Sequence, residues 1–177
     1  MAEDNSRTLT RFSTRYPVVW RGNLELKSAQ AMVQMHFLSG NILFARSTLP
    51  QDEIDPSPMR ITQRMRLLPP ALEEVKQKTM IYDEHCVLLA LPCGKSRKTV
   101  SRQRRKFRSG FLRYLRDKNS MGVVRGKHPE TGEPSFLMSI FPQCDFANSL
   151  LQEVPIRPEV NRKIHLFPHS VVVLQKK

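Results

Sequence analysis

Two arginines, Arg64 and Arg66, have the residue type and the spacing to bind an anion. They lie in the run 60–67, RITQRMRL, which is predicted to form a β-strand. Side chains alternate along a strand, so both arginines share one face while Met65 and Leu67 point to the other. Each guanidinium offers a planar fork of donors that matches carboxylate or phosphate. The run indicates an anion-binding site. The alternative is that both arginines are ordinary solvated surface residues.

Residue patterns typical of catalysis or metal binding are missing from the sequence. It contains no Gly-rich phosphate loop, no GxSxG and no HExxH. His165 and His169 are four residues apart, but Pro168 between them disfavours the regular helix that would bring them together. The three cysteines form no CxxC pair, which supports neither a disulfide framework nor a zinc site. We therefore expect no enzymatic activity, no metal and no cofactor.

The positive charge of the chain is concentrated in one region. Residues 95–118 contain eleven Lys and Arg and a single acid, so they supply ten of the thirteen net positive charges. Three interpretations of this region are open. It could be the solvated face of a helix, a nucleic-acid-binding patch, or a surface that binds an acidic peptide. No RNP aromatics or zinc-finger spacing indicate sequence-specific nucleic-acid binding. The candidate nucleic-acid contacts are the densest basic residues: Arg102, Arg104, Arg105, Lys106 and Arg108.

The 177 residues suit one domain with a hydrophobic core, predicted at 16–177 after a flexible leader at 1–15. Apolar patterning predicts about seven strands interrupted by helices, without a regular βαβ rhythm. This pattern indicates an α+β fold built on a barrel or a strongly bent sheet. No apolar run of about 18 residues is present, so no membrane-spanning helix is expected. The predicted strands are 17–27, 31–38, 59–67, 86–91, 123–124, 135–141 and 171–174, and the predicted helices are 71–78, 98–118 and 146–153.

Five segments of the sequence match a known family: 16–22 (YPVVWRG), 33–41 (VQMHFLSGN), 60–67 (RITQRMRL), 88–94 (LLALPCG) and 140–146 (IFPQCDF). Together they resemble the SPOC domain, the C-terminal module of split-ends (Spen) family proteins. They match in the same order from about residue 16 to residue 174, which is more specific than any single motif. Within the family, the chain resembles in particular the SPOC domains of the Spen and SHARP transcriptional corepressors.

The resemblance implies a distorted seven-stranded β-barrel framed by α-helices, and a monomeric nuclear module without catalysis. It also implies binding of short acidic motifs that carry phosphoserine, such as the tails of SMRT and NCoR corepressors. Some family members similarly bind phosphorylated C-terminal repeats of RNA polymerase II. The family's phosphopeptide-binding positions correspond here to Lys27, Arg64, Arg66, Tyr114 and Lys118.

One region departs from the family pattern. Residues 95–108 are far more basic than the matching stretch of Spen, so the family function does not explain them. Their excess charge could serve RNA, an additional acidic partner or solubility. RNA binding through the region 95–118 therefore remains the alternative function.

Overall fold

The computed structural model describes residues 15–50, 58–128 and 130–177. Its strands form one curled sheet in the order β3-β1-β2-β5-β8-β7-β6-β4, in which only the β1–β3 pair is parallel. The predicted leader lies outside the described residues except for Arg15. The strands are β1 (Val18–Leu26), β2 (Ala29–Gly40), β3 (Met59–Arg60), β4 (Gln63–Arg66), β5 (His85–Pro92), β6 (Ser120–Lys127), β7 (Pro134–Phe141) and β8 (Ser170–Lys176).

The predicted arginine strand closes this sheet into a barrel and is broken in two. Met59 of β3 pairs with Leu24 of β1, whereas Met65 of β4 pairs with Met121 of β6. Between them, the amide of Ile61 donates to Glu25 O at 2.8 Å, and the amide of Thr62 donates to Val123 O at 3.1 Å. The segment changes partner from one end of the sheet to the other, which explains the break. Counted as one strand, it gives the expected seven-stranded barrel.

The sheet is covered on both faces at β5, which explains the continuous apolar run 86–91. Every residue of β5 is buried. Alternate side chains of β5 belong to two separate core clusters: Leu88 packs in one and Leu89 in the other. The first cluster fills the barrel and includes Phe107 and Phe111. The long basic helix therefore plugs the barrel with its apolar stripe.

Helices frame the barrel, and two of them were not predicted from the sequence. Asn41 caps the first helix by accepting hydrogen bonds from the Leu43 and Phe44 amides. None of the helices in the described residues has the length and apolar character needed to cross a membrane. The helices are α1 (Ile42–Thr48), α2 (Pro69–Thr79), α3 (Arg97–Phe107), α4 (Arg113–Asp117), α5 (Asp145–Glu153) and α6 (Pro158–Ile164), of which α1 and α6 were missed.

The helix predicted at 98–118 is interrupted rather than regular. A π-helical segment, Arg108–Leu112, separates α3 from α4. Gly110 lies in this segment, and a Cβ at that position would come within 2.8 Å of the Ala29 Cβ. The absence of a side chain thus lets the helix approach the turn between β1 and β2. Phe107, Phe111 and Leu115 remain fully buried, as their spacing predicts.

Candidate functional site

The two arginines of β4 point to solvent, as their alternation predicts. Arg64 and Arg66 are exposed, while Met65 between them is partly buried and packs against the core. In the antiparallel pair with β6, Arg64 lies opposite Gly122 and Arg66 opposite Ser120. The paired backbone therefore holds both guanidinium groups on one side of a short strand, where they can receive a ligand.

Arg64 contacts an aromatic residue of the helix that plugs the barrel. Its Nη1 donates a hydrogen bond to the hydroxyl oxygen of Tyr114 in α4 at 2.8 Å. Its guanidinium carbon lies 5.6 Å from the centre of the Tyr114 ring. Phe111 and Leu115, which are fully buried, anchor the helix on either side of Tyr114 along the chain. The hydrogen bond thus joins the arginine strand to a rigid support.

Lys27 approaches the same ring from the turn between β1 and β2. The sequence placed it on a strand face, but it lies just beyond β1, in the turn before β2, with φ of 56°. Its ammonium nitrogen is 4.4 Å from the centre of the Tyr114 ring, within the range of a cation–π contact. The close approach of Ala29 to Gly110 brings this turn against the helix. Lys27 and Arg64 therefore share Tyr114.

Positive charge dominates the surroundings of the Tyr114 hydroxyl. A side-chain hydrogen bond with Lys27 lowers the pKa of Tyr114 despite partial desolvation, and the charges of Arg64, Lys27 and Lys118 lower it further. The ion pairs among the described residues are Arg60–Glu25 and Lys78–Glu84, both at 3.1 Å. Glu25 is thus engaged by Arg60, and no carboxylate neutralises this cluster within the described part of the chain.

Lys118 lies in the turn that connects α4 to β6, and Arg66 lies next to a residue that is hydrogen-bonded to this turn. Lys118 follows the last residue of α4, and its amide donates to Tyr114 O at 3.1 Å. The amide of Leu67, next to Arg66, donates to Asn119 O at 2.8 Å. Both cationic side chains are exposed. The five residues that the sequence comparison grouped therefore come from three chain segments that meet at one surface, which we call the Tyr114 site (Lys27, Arg64, Arg66, Tyr114, Lys118).

The five basic residues assigned to nucleic-acid contact are not equivalent in the structure. Arg102, Arg105, Lys106 and Arg108 are exposed on the helix. Arg104 is instead partly buried, with its guanidinium carbon 4.8 Å from the centre of the Phe167 ring. Burial, followed by the charge of Arg108, lowers the pKa of Arg104. Four of the five therefore offer their charge to solvent, and Arg104 packs against the segment after α6.

The remaining titratable groups have structural surroundings. Burial raises the pKa of Cys86 and of Cys93 to about 11, which keeps both thiols protonated at neutral pH. His36 is buried, and its Nδ1 lies 2.9 Å from Tyr16 O. No group of three or more His, Cys, Asp or Glu side chains that could hold a metal ion is found in residues 15–50, 58–128 and 130–177.

Sequence reasoning missed the residue that positions the site. Gly110 lies inside the predicted helix 98–118, and its lack of a side chain permits the approach of the Lys27 turn to the helix. The available signal was a glycine in the middle of an otherwise regular apolar stripe. The adjacency of Arg64 and Tyr114 had no local signal, because 50 positions separate them along the chain.

The chain is similar to known proteins along nearly its whole length. A family model described as the SPOC domain matches residues 10–174. The chain is 39% identical over 175 residues to protein split ends of Drosophila melanogaster, covering 98% of this chain and 3% of that protein. It is 38% identical over 161 residues to Msx2-interacting protein of Homo sapiens, covering 90% of this chain and 4% of that protein. The chain therefore spans only a small part of the length of these relatives.

A solved structure supports the same architecture. The crystal structure of the SPOC domain of human PHD-finger protein 3 superposes with a TM-score of 0.55 at 13% identity. The match covers 90% of this chain and 97% of that chain. At this identity, the likeness concerns the fold rather than the site.

Proposed function

Since this chain belongs to the SPOC domain family, we propose that it is a noncatalytic protein-interaction module that binds short acidic motifs carrying phosphoserine. The observation that carries the proposal is that Lys27 and Arg64 converge on Tyr114 while neither forms an ion pair with a carboxylate among the described residues. Like charges are held together here although they repel, and an anionic ligand would relieve that repulsion.

The donors of the Tyr114 site are of the kinds that bind phosphate. A phosphoserine carries about −1.5 to −2 charges at pH 7 and three acceptor oxygens. Arg64 offers a planar fork of donors, whereas Lys27 offers a compact charge. The Tyr114 oxygen accepts a hydrogen bond from Arg64, and the Lys27 ammonium lies over the same ring. The hydroxyl hydrogen of Tyr114 is not used in the bond with Arg64 and can be donated to a phosphate oxygen.

Neighbouring acids of a bound peptide would engage the outer cations of the site. Arg66 lies two residues beyond Arg64 on the same strand face, and Lys118 lies one helical turn beyond Tyr114. In the proposal, Lys27, Arg64 and Tyr114 hold the phosphate, while Arg66 and Lys118 hold carboxylates. Because these groups are exposed, the affinity should fall as salt concentration rises.

The family resemblance suggests which partners carry such motifs. We propose acidic tails of SMRT and NCoR-type corepressors as the main partners, and phosphorylated RNA polymerase II repeats as a second class. The module would then act in the nucleus, in transcriptional repression. The relatives named split ends and Msx2-interacting protein are much longer than this chain, so these roles concern the module and its partners alone.

A pull-down with immobilised phosphorylated and unphosphorylated versions of one acidic peptide tests the proposal. Wild-type protein should be retained on the phosphorylated peptide, and the Arg64→Ala/Arg66→Ala variant should not. Arg162→Ala/Arg46→Ala removes the same charge from exposed positions on α6 and α1 and should bind like wild type. Equal retention of the wild type on both peptides, or normal retention of the Arg64→Ala/Arg66→Ala variant, would contradict it.

RNA binding is the second candidate, because four basic side chains are exposed along α3 and its end. Arg102, Arg105, Lys106 and Arg108 could contact phosphates through counterion release, without reading a sequence. A salt titration with single-stranded RNA distinguishes this candidate from a merely solvated helix.

A further inference from the structure

We propose that a second groove, on the other edge of the same helix, binds an acidic peptide segment in which an apolar side chain neighbours a carboxylate or phosphate. This groove is separate from the Tyr114 site, and the proposal does not depend on the function proposed for that site. We call it the Leu166 groove. It lies between the π-helical segment with α4 and the chain that follows α6. Its lining includes Arg108, Leu112, Arg116, His165, Leu166 and Phe167.

The two sites use opposite edges of one helix. Phe111 and Leu115 are fully buried and form the central stripe of that helix. Tyr114 lies on one side of the stripe, near Arg64. Leu112 and Arg116 lie on the other side and line the Leu166 groove. Mutations can therefore separate the two sites.

The floor of the groove is apolar and its size suits a side chain. Leu112 and Phe167 are each 8% exposed, so both present a small apolar surface to the groove. Leu166 at the rim is 77% exposed and extends the apolar lining of the groove into solvent. The groove encloses about 210 Å³, less than a drug-sized ligand requires but enough for one or two side chains. An apolar side chain of a partner would cover Leu166.

The rim of the groove is cationic. Arg108 and Arg116 are exposed on the helix, and His165 is exposed across from them. None of the lining residues is acidic. Asp117 is adjacent to Arg116 in sequence but does not line the groove. An acidic group beside the apolar anchor would therefore find two arginines and no repelling carboxylate in the lining.

The groove is held in shape before any ligand binds. The Leu166 amide donates to Lys163 O and the Phe167 amide to Ile164 O, each at 3.0 Å. Arg104 lies over the Phe167 ring at 4.8 Å and fixes it to α3. These contacts keep Leu166 displayed to solvent instead of folded onto the core. Preorganisation of this kind reduces the entropy lost on binding.

The same contacts favour a peptide over RNA as the occupant. Single-stranded RNA is usually held by exposed aromatic rings on which bases stack. The aromatic ring here, Phe167, is buried and covered by Arg104. The exposed apolar residue is Leu166, which suits an aliphatic side chain. The groove also gives a binding role to Arg108 and Arg116, two basic residues that are not part of the Tyr114 site.

Fluorescence anisotropy with two labelled acidic peptides tests this proposal. Both are short, unphosphorylated runs of glutamate and aspartate, one with a central leucine and the other with serine in its place. Wild-type protein should bind the leucine peptide at least about fivefold more tightly. Arg108→Ala/Arg116→Ala should weaken that binding about tenfold, as expected for losing charge-assisted hydrogen bonds. Leu166→Ser should remove the preference for leucine.

Two control variants distinguish binding in the Leu166 groove from a general effect of charge and from binding at the Tyr114 site. Arg113→Ala/Lys106→Ala removes two exposed charges from the same helix outside the groove and should change the affinity less than twofold. Arg64→Ala/Arg66→Ala should leave the leucine preference intact, since it alters only the Tyr114 site. Equal affinity for the two peptides, no effect of Arg108→Ala/Arg116→Ala, or displacement of the leucine peptide by oligouridine at a lower concentration than by its unlabelled form would overturn the proposal.

Discussion

Arg64 donates a hydrogen bond of 2.8 Å to the hydroxyl of Tyr114, and this contact joins the strand that closes the barrel to the helix that plugs it. Lys27 approaches the same ring to 4.4 Å from the β1–β2 turn. Three segments distant in sequence thus meet at one phenol. The site depends on their relative placement as well as on its charges.

Replacing Tyr114 by phenylalanine distinguishes the contribution of the hydroxyl to binding from that of the ring. Tyr114→Phe keeps the apolar ring but removes the oxygen that Arg64 contacts and the hydrogen proposed to reach the phosphate. Because one hydrogen bond to a charged group is lost, phosphopeptide affinity should fall about three- to tenfold in calorimetry. The melting temperature should stay within a few degrees of wild type. Unchanged affinity would show that the hydroxyl takes no part in binding.

Gly110→Ala should disturb the site from a distance. The added Cβ would lie 2.8 Å from the Ala29 Cβ and force the β1–β2 turn away from the helix. We expect a loss of about 1–3 kcal/mol in unfolding free energy, as for other overpacked positions. Phosphopeptide affinity should also fall, because Lys27 moves with the turn.

The compensating double variant is the control for this effect. Adding Ala29→Gly to Gly110→Ala removes the colliding methyl group and should restore most of the peptide affinity. Denaturant unfolding and calorimetry on the same samples measure both quantities. If affinity stays low in the double variant, the contact between these residues does not position Lys27.

The ionisation of Tyr114 provides a spectroscopic test of the charge cluster. Its hydrogen bond with Lys27 and the nearby charges of Arg64 and Lys118 stabilise the phenolate and lower the pKa of Tyr114. Ultraviolet titration should therefore show one of the three tyrosines ionising below the usual pH of about 10. Lys27→Gln should move that transition upward, and Tyr114→Phe should abolish it. A single transition at the ordinary pH in the wild type would argue against the cluster.

Buried His36 predicts loss of stability in mild acid. Desolvation lowers the pKa of His36 to about 4, against the opposing hydrogen bond with Tyr16, with a further contribution from Arg21. As the pH falls, His36 is protonated near pH 6.5 in the unfolded chain but only near pH 4 in the folded chain. The free energy of unfolding is therefore highest above pH 6.5 and decreases toward pH 4. The loss attributable to this group is about 3 kcal/mol.

Denaturant unfolding between pH 7 and pH 4 measures this loss. His36→Gln should flatten the profile, leaving the smaller slope expected from His169, whose pKa burial also lowers. A variant whose profile has the wild-type slope would assign the acid sensitivity to other groups.

The RNA candidate makes a quantitative prediction of its own. Neutralising Arg102, Arg105 and Lys106 should reduce the slope of log affinity against log salt by about 2, since each lost contact to single-stranded RNA contributes about 0.7. The measurement is a filter-binding titration at several salt concentrations. A slope unchanged from wild type would remove this candidate.

Local patterns predicted much of the fold, including the buried strand β5 and the exposed arginines of β4. They missed α1, because Asn41 is equally suited to a turn and to a helix cap. They also placed Lys27 on a strand, since alternation alone does not locate the end of β1. The grouping of Arg64 with Tyr114 came from family resemblance, because periodicity carries no information on contacts between distant segments.

The break within the arginine segment has a similar origin. The run 60–67 alternates like a single strand, but Ile61 bonds to β1 and Thr62 bonds to β6. Only the closure of the barrel requires this exchange of partners. Gly110 likewise gains its role from the tertiary approach of Ala29.

A double-mutant cycle between Arg64 and the phosphate tests the central claim most directly. Calorimetry would measure four affinities: wild type and Arg64→Ala, each with a phosphorylated and an unphosphorylated form of one acidic peptide. We predict that phosphorylation strengthens binding to the wild type, and that most of this gain is lost in Arg64→Ala. The coupling energy should be about 1.5–3 kcal/mol. A coupling energy near zero would contradict the assignment of Arg64 as a phosphate-binding residue.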